Sequence, residues 1–548
     1  MKRFTAFLIF SCILCCFFHS TTLLGQERVA PSAGVFSAGA AVSNITPKIG
    51  VSMNGNFQDQ LAKHVHDDLH ARCIVLNDGK TRLAIVVTDL CMVTREILDA
   101  AKRRAHEITG IPVENMMMSA THTHSAGTAG EVFHSVPDKD YVAFLIERIA
   151  DAVVRANNNL APARIGWGVG SEPSQVFNRR WLMKPGTPIT NPFGTADLAV
   201  MNPGIGNPNL LEPAGPTDPE VPVISVQSLD GKYIAVLANY SLHYVGGGRP
   251  GEISADYYGL FADRMKQILA ADGQDPAFVA MMSNGTSGDI NNINFRTAHL
   301  PLPPYGRMKL VANVLASEAY KVIQNIRYHD WVSLDADQKE ISLNVRRPTA
   351  KDVKRAKEIM SNAKGPGMTT RDEVYARETV LMADYPEKVS VVLQAFRIGG
   401  LAITAIPCEV FVEIGLELKE KSPFKPTFNI ELANGYNGYL PTPAHHKLGG
   451  YETWRARSSY LEINASEKIT QTLFGLLGQL QDAHKDPYQM SGAEKAEGFK
   501  VLFDGIDLSL WTGNTTDYVV ENGTLVIYPD RGGKGDLFTK EEFDDFVL

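Results

Sequence analysis

The chain is predicted to fold as an α/β (α+β) domain on a central sheet, followed by a fragment of a β-sandwich. Three observations predict this. Between Gly39 and about Leu480, short apolar runs alternate with stretches of helical periodicity. Several of those runs end abruptly in polar residues, the place where α/β sheets build their sites. Beyond a polar, Ala/Glu/Lys-rich stretch at 483–498, the pattern changes to short alternating β-type runs.

Taken in order, the chain opens on Lys2 and Arg3, the apolar run Phe4–Phe18, and small or polar residues to Gly25-Gln26. This pattern is a secretory signal peptide over residues 1–25, too short and too poorly flanked for a membrane span. It predicts a secreted, periplasmic or cell-surface protein. Residues 26–482 then read as one catalytic domain. Its strand-like runs are Leu83–Thr88, Met116–Ala120, Val223–Val226, Ile234–Ala238, Phe278–Met282 and Leu401–Ile406. Its helical stretches are Arg95–Thr109, Asp140–Asn157, Tyr257–Ala271, Met308–Arg327, Ala350–Ala363 and Ile469–Leu480. Asp230-Gly231 between two β-type runs predicts a hairpin. The Pro/Gly/Asn-rich stretch 184–222 reads as a long loop. Residues 483–498 are a linker. Residues 499–548 carry Val501-Leu-Phe-Asp-Gly505, Trp511 and the alternating Tyr518–Ile527, the opening strands of an all-β domain. These roughly 50 residues are too few for a sandwich core of about 100, so the domain is expected to be partial.

Composition bounds the function. Of 548 residues, 44% are hydrophobic and 21% charged, which fits a globular protein, and a net charge of −8 excludes a nucleic-acid partner. Three cysteines (Cys12, Cys15, Cys16) fall in the signal peptide. The other three, Cys73, Cys91 and Cys408, are too few and too sparse for a disulfide framework and read as buried thiols.

The most informative residues are His122-Thr123-His124. In an extended backbone, residues i and i+2 point to one side, so two imidazoles there make half of a transition-metal site. Other runs end in Asp89, in Asn239-Tyr-Ser-Leu-His243, in Ser283-Asn-Gly-Thr-Ser-Gly-Asp289 and in Pro407-Cys-Glu409. Two histidine clusters and a glutamate delivered this way suit a metal-dependent hydrolase with three or four N/O ligands. His64, His66 and His70 read as supporting or surface residues. Asp89 is either a carboxylate holding a ligand histidine or a strand-end turn residue. Asp256 is either such a carboxylate or the cap of the helix beginning at Tyr257. Asp289 orders its loop through backbone amides. Gly246-Gly-Gly248 is a flexible loop, and His445-His446 lie in a solvated one.

Ala40-Ala-Val-Ser-Asn-Ile-Thr-Pro47, Ala71-Arg72, Met118-Ser-Ala-Thr-His-Thr-His-Ser125, Asn178-Arg179, His243, Ser254-Ala-Asp256 and Gly288-Asp289 follow one another here. In this order they resemble the neutral/alkaline ceramidase family over roughly residues 38–480. The resemblance implies a secreted zinc amidase that cleaves the N-acyl bond of ceramide. It implies Zn²⁺ ligands at His122, His243, Glu409 and Tyr439. Glu409 stands where the family has Pro-x-Glu, and Tyr439 where it has Tyr-x-Thr-Thr. His124 is implied as an acid/base neighbour, and Arg179 and Tyr451 as contacts to the reacting amide. One departure is sharp: the family's Gly-Asp-x-Ser-Pro-Asn is here Gly288-Asp-Ile-Asn-Asn-Ile-Asn294, so Asn291 takes the place of the essential serine. Asn291 is no acyl-accepting nucleophile, yet it can donate a hydrogen bond to an oxyanion. A zinc–water mechanism therefore survives. The substrate stays open between an N-acyl lipid, which would bring peripheral membrane contact, and an N-acyl sugar. The second is suggested by the C-terminal segment, where Leu502-Phe-Asp-Gly505, Trp511 and Glu521-Asn-Gly-Thr-Leu525 resemble the start of a lectin-like 3-keto-disaccharide hydrolase domain. Three readings follow: an amidohydrolase, a glycan-related hydrolase or deacetylase on the same zinc site, and an inactive binding homologue.

Overall fold

The computed structural model describes residues 34–298, 301–365, 367–483, 497–504, 507–521 and 524–542. The expected signal peptide, most of the expected linker and the last six residues lie outside the described residues.

Two mixed sheets face each other. The larger has eight strands: β1 (Ser37–Asn44), β2 (His70–Asn77), β3 (Arg82–Thr88), β4 (Met116–Ala120), β5 (Ala161–Ser171), β6 (Glu220–Ser228), β7 (Tyr233–Tyr240) and β8 (Val279–Asn284). Their spatial order is β8-β7-β6-β5-β1-β2-β3-β4. The inner pairings are antiparallel, and the two outermost ones, β3 with β4 and β7 with β8, are parallel. The smaller sheet runs β9 (Leu334–Asn344), β10 (Lys388–Ile398), β11 (Leu401–Ile406) and β12 (Thr427–Glu431), again ending in a parallel pair, β11 with β12. Each parallel pair needs a crossover, and each has one helix: α1 (Arg95–Thr109), α3 (Asp256–Ile268) and α7 (Val412–Lys421). The hairpin expected at Asp230-Gly231 joins β6 to β7.

The layers explain the uninterrupted apolar runs. Ile85, Met117, Leu237, Val279 and Met281 of the large sheet meet Phe396, Ile403, Ala405, Phe428 and Ile430 of the small one in a core between the sheets. The alternate residues Val86, Met116 and Met118 turn outward onto α1 and α2 (Lys139–Asn158). Val236, Ala238, Ala280 and Met282 turn onto α3 and α4 (Gly306–Ile323), and α5 (Ala350–Ser361) and α6 (Arg371–Met382) follow in the chain. On the other side, Val391, Leu393 and Ala402 pack on α7 and α9 (Ala465–Asp482). A strand buried on both faces has no polar face to show.

The stretch 184–222 is not structureless. Ala199–Met201 and Leu210–Pro213 pair on either side of Arg180–Met183, and Trp181, Leu210 and Phe295 give this small sheet its own core. In the C-terminal segment, Tyr518–Glu521 pairs with Thr524–Ile527 and Trp511–Gly513 with Leu537–Thr539. Among the described residues no helix is long and apolar enough to cross a membrane.

Candidate metal centre

All three parallel pairs aim the carboxyl ends of their strands at one place. β4 ends where the Ala120 N–H donates to the Leu432 carbonyl just past β12, so the rims of the two sheets are tied together. The chain then turns: His122 N–H donates to the Leu90 carbonyl, and His122 adopts φ +74°. The His-Thr-His run is therefore not extended. A β-carbon-bearing residue in this left-handed region stores backbone strain, a trait concentrated at functional sites. The turn brings His122 and His124 together at Nε2–Nε2 3.2 Å, with their rings at 84°.

Backbone carbonyls select the tautomers. His122 Nδ1 lies 2.7 Å from the Cys91 carbonyl oxygen, and His243 Nδ1 lies 3.1 Å from that of Ser287. A carbonyl only accepts, so each Nδ1 carries the hydrogen and each Nε2 keeps a lone pair. Those two Nε2 atoms are 3.1 Å apart. Glu409 Oε2 stands 3.3 Å from His122 Nε2 and 3.9 Å from His243 Nε2, and it has no hydrogen-bond partner. His122, His243 and Glu409 are 3%, 2% and 2% exposed, which denies them solvent. Two lone pairs and a carboxylate oxygen converging in a dry pocket repel one another unless a cation lies between them. The donor set fits a Zn²⁺-type ion.

The electrostatics agree. Burial, with Arg179 and His122, holds His243 well below the usual imidazole range; burial, His122 and Arg179 do the same to His124. Burial opposes protonation of His122, but Cys91 and Glu409 outweigh it and push it up. Burial opposes ionisation of Glu409, but His122 and Tyr439 outweigh it and hold it down. The pocket calls for positive charge, which a metal ion supplies as a proton does.

Glu409 and Tyr439 arrive together. They sit opposite each other in a two-residue parallel pairing, Glu409–Val410 with Tyr439–Leu440. Gly288 packs on this pairing so closely that a β-carbon there would meet the Glu409 carbonyl oxygen at 2.7 Å. Tyr436 Oη donates to Glu409 Oε1 at 3.0 Å. Burial and the Glu409 charge push the Tyr439 phenol well up, while Arg179 pulls the other way. Arg179 Nη2 donates to Tyr439 Oη at 3.1 Å and to the Gly288 carbonyl at 2.8 Å, and its Nε is held by Glu452 Oε1 at 3.0 Å. The guanidinium is locked beside the phenol, ready to favour a phenolate next to a dication.

His124 stacks on Tyr244 with ring centroids 3.6 Å apart, and its Nδ1 has no hydrogen-bond partner. Gly55, at φ +106°, makes room for it, since a β-carbon there would lie 2.3 Å from the imidazole. Tyr451 borders the cluster, its ring 5.7 Å from that of Tyr439 and 5.9 Å from Phe57. Asn291 is joined elsewhere: its Nδ2 donates to Asn202 Oδ1 at 2.8 Å, and its Oδ1 accepts from the Ile293 N–H.

Several residues enter that the sequence did not single out. Glu452, fully buried, receives both Arg179 and Arg180. Glu431, also fully buried at the end of β12, accepts from Ser287 Oγ at 2.6 Å and from the Val410 N–H at 2.6 Å. It thereby holds both the segment behind His243 and the strand carrying Glu409. Burial pushes the Glu431 carboxyl up to about 8. Asp89 supports no ligand histidine; it pairs with Arg72 at 2.6 Å and receives the His70 N–H. Asp256 is the first residue of α3 rather than its cap; its carboxylate receives the N–H groups of Tyr257, Val245 and Gly246 and pins the loop after His243. Asp289 does not order its own loop through nearby amides; it reaches across to other segments, receiving the Val412 N–H at 3.0 Å and Asn178 Nδ2 at 2.8 Å. His445 is not solvated. It lies buried in the short helix α8 (Pro443–Leu448), 3.1 Å from Glu413. Cys73, Cys91 and Cys408 are buried free thiols.

Comparison with known proteins places the fold. Residues 36–299 match the family model of the neutral/alkaline non-lysosomal ceramidase N-terminal region, and residues 498–548 match that of the 3-keto-alpha-glucoside-1,2-lyase-like domain. Both resemblances read in the sequence are borne out. Among solved structures, the fold is similar to neutral ceramidase from Pseudomonas aeruginosa: TM-score 0.62 and 18% identity, covering 82% of this chain and 75% of that one. A ceramidase complexed with C2 gives 0.62 and 17% identity over 84% of this chain and 77% of the other. The family match includes His122, His124, Arg179, His243 and Asn291. Glu409, Tyr439 and Tyr451 lie beyond it, in the part spanned by the likeness of fold.

Proposed function

We propose that the chain is a secreted, zinc-dependent amidohydrolase that cleaves the N-acyl bond of a small-molecule substrate, with an N-acyl lipid of the ceramide type as the leading candidate. The observation that carries this reading is the convergence of two carbonyl-fixed imidazole lone pairs and the unpartnered Glu409 oxygen beside Tyr439. His122, His243, Glu409 and Tyr439 would hold the ion, which when bound supplies Lewis acidity, lowering the pKa of water and polarising a carbonyl. The remaining work falls to this chain's own groups. His124, kept neutral, offers a lone pair that takes a proton from the attacking water and returns it to the leaving amine. Arg179, locked by Glu452 and Gly288, presents fixed positive charge where the amide oxygen turns anionic, at no cost in reorganisation. Tyr451 and Phe57 provide an aromatic wall against which an acyl chain packs. With asparagine at position 291, water rather than a side-chain oxygen makes the attack.

A second reading, an N-acyl sugar as substrate, is favoured by the match of residues 498–548 to a sugar-lyase-like domain. Incubating the full-length protein with labelled ceramide and with N-acetylated sugars, with and without a chelator, separates them. Fatty acid released from ceramide and abolished by chelation is expected. Acetate released from the sugars alone moves the substrate to the second reading. Turnover of neither by the zinc-loaded protein overturns both.

A further inference from the structure

We propose that Asp289, Glu413 and His445 form a second divalent-cation site, distinct from the His122 centre and carried by three segments that frame it. One ligand atom from each lies within 4.8 Å of the others. Asp289 is fully buried and His445 is 5% exposed, while the Glu413 side chain is 28% exposed, so the cluster lies just beneath the surface with two of its three members interior. His445 Nε2 is 3.1 Å from Glu413 Oε1, while Glu413 Oε2 is enclosed and has no hydrogen-bond partner. A protonated His445 reaches only one of those two oxygens. It leaves the other bare, and although the His445 and Arg180 charges favour the Asp289 carboxylate, neither donates a hydrogen bond to it. Asp289 has only neutral donors on its oxygens, Asn178 Nδ2 at 2.8 Å and the Val412 N–H at 3.0 Å. Burial and the Glu413 charge push its carboxyl up to about 7, against the pull of the Val412 N–H, His445 and Arg180. Imidazole with two carboxylates is a donor set for Zn²⁺ or Mn²⁺, whereas Mg²⁺ and Ca²⁺ prefer oxygen alone.

The placement gives the site a purpose. Asp289 follows Ser287, whose carbonyl holds His243, and Gly288, whose carbonyl holds Arg179. Glu413 lies in the first turn of α7, just past the strand that carries Glu409. His445 follows Tyr439 after one short turn, with Thr442 Oγ1 at 2.7 Å from its Nδ1. An ion here ties together the three segments that frame the His122 centre while touching no substrate.

The test is zinc titration of the chelator-stripped, desalted full-length protein, read by metal analysis and by melting temperature. The expected stoichiometry is two Zn²⁺ per wild-type chain, and one each in His122→Ala/His243→Ala and in Glu413→Gln/His445→Ala. The near-isosteric single variant Glu413→Gln keeps the fold and is expected to weaken the second binding step by at least about tenfold. A wild-type stoichiometry of one, with Glu413→Gln leaving both stoichiometry and the zinc-dependent melting shift unchanged, overturns the second site and leaves the first intact. Loss of that single ion in Glu413→Gln/His445→Ala but not in His122→Ala/His243→Ala overturns the ligand set of the first.

Discussion

The His122 centre and the Asp289 cluster are donor groups on neighbouring segments, built in different ways. At the first, main-chain carbonyls of Cys91 and Ser287 dictate which imidazole nitrogen is bare. At the second, the supporting groups are mostly side chains, Asn178 and Thr442. A carbonyl in a buried, packed main-chain segment cannot change its hydrogen-bonding role, so the His122 donors are preorganised before any ion arrives. Hydroxyls and amides can reorient, which makes the second cluster adaptable. The difference assigns chemistry to the first and bracing to the second, and several perturbations sharpen or break that division.

The largest effect is expected from His122→Ala/His243→Ala. Amidase activity should fall by about 10³-fold or more, because the Lewis acid and the water activation are lost together. Metal analysis and steady-state kinetics check it; activity surviving the loss of both donors breaks the division. Next, Arg179→Gln should lower kcat by about 10²–10³-fold with KM little changed, the pattern of a lost oxyanion contact. A KM effect alone would make Arg179 a binding residue. A smaller effect is expected of Ser287→Ala, which frees Glu431 and loosens the support behind His243. Zinc affinity at the first site should drop about 10–100-fold, measured by competition with a chromogenic chelator. The smallest effect concerns pH. Glu431 is raised from its ordinary 4.5 to about 8 in the folded state. Its contribution to stability is therefore fully present below pH about 4.5 and is lost as pH rises through about 8, by at most about 1.4 kcal/mol per pH unit. Denaturant melts of wild type and Glu431→Gln across that window should show the slope vanish in the variant.

How much of this was legible in the sequence follows from distance along the chain. The runs Met116–Ala120 and Leu401–Ile406 and the helix Arg95–Thr109 coincide with elements of the structure, because burial on both faces or a strong amphipathic period is a local property. His122, His243 and Glu409 were visible because each follows a strand end, and the structure brings their donor atoms together. Extended-strand geometry does not bring His122 and His124 together: a turn at φ +74° makes their nitrogens meet. Glu452 was hidden because its role exists only across the 273 residues that separate it from Arg179. Glu431 ends a strand that was not read as one, and its partner Ser287 lies 144 residues earlier. His445 carried no amphipathic pattern in its six-residue helix and read as solvated loop. The stretch 184–222 was rich in turn residues, and only the packing of Trp181, Leu210 and Phe295 turns it into a small sheet.

The central claim is that His122, His243, Glu409 and Tyr439 share one ion. Crystals of the zinc-loaded protein, measured at the zinc absorption edge, test it most directly. An anomalous peak about 2.0–2.2 Å from His122 Nε2, His243 Nε2 and a Glu409 oxygen, with Tyr439 Oη completing the sphere, is the predicted result. A fully zinc-loaded protein with no anomalous density between those atoms would contradict the account.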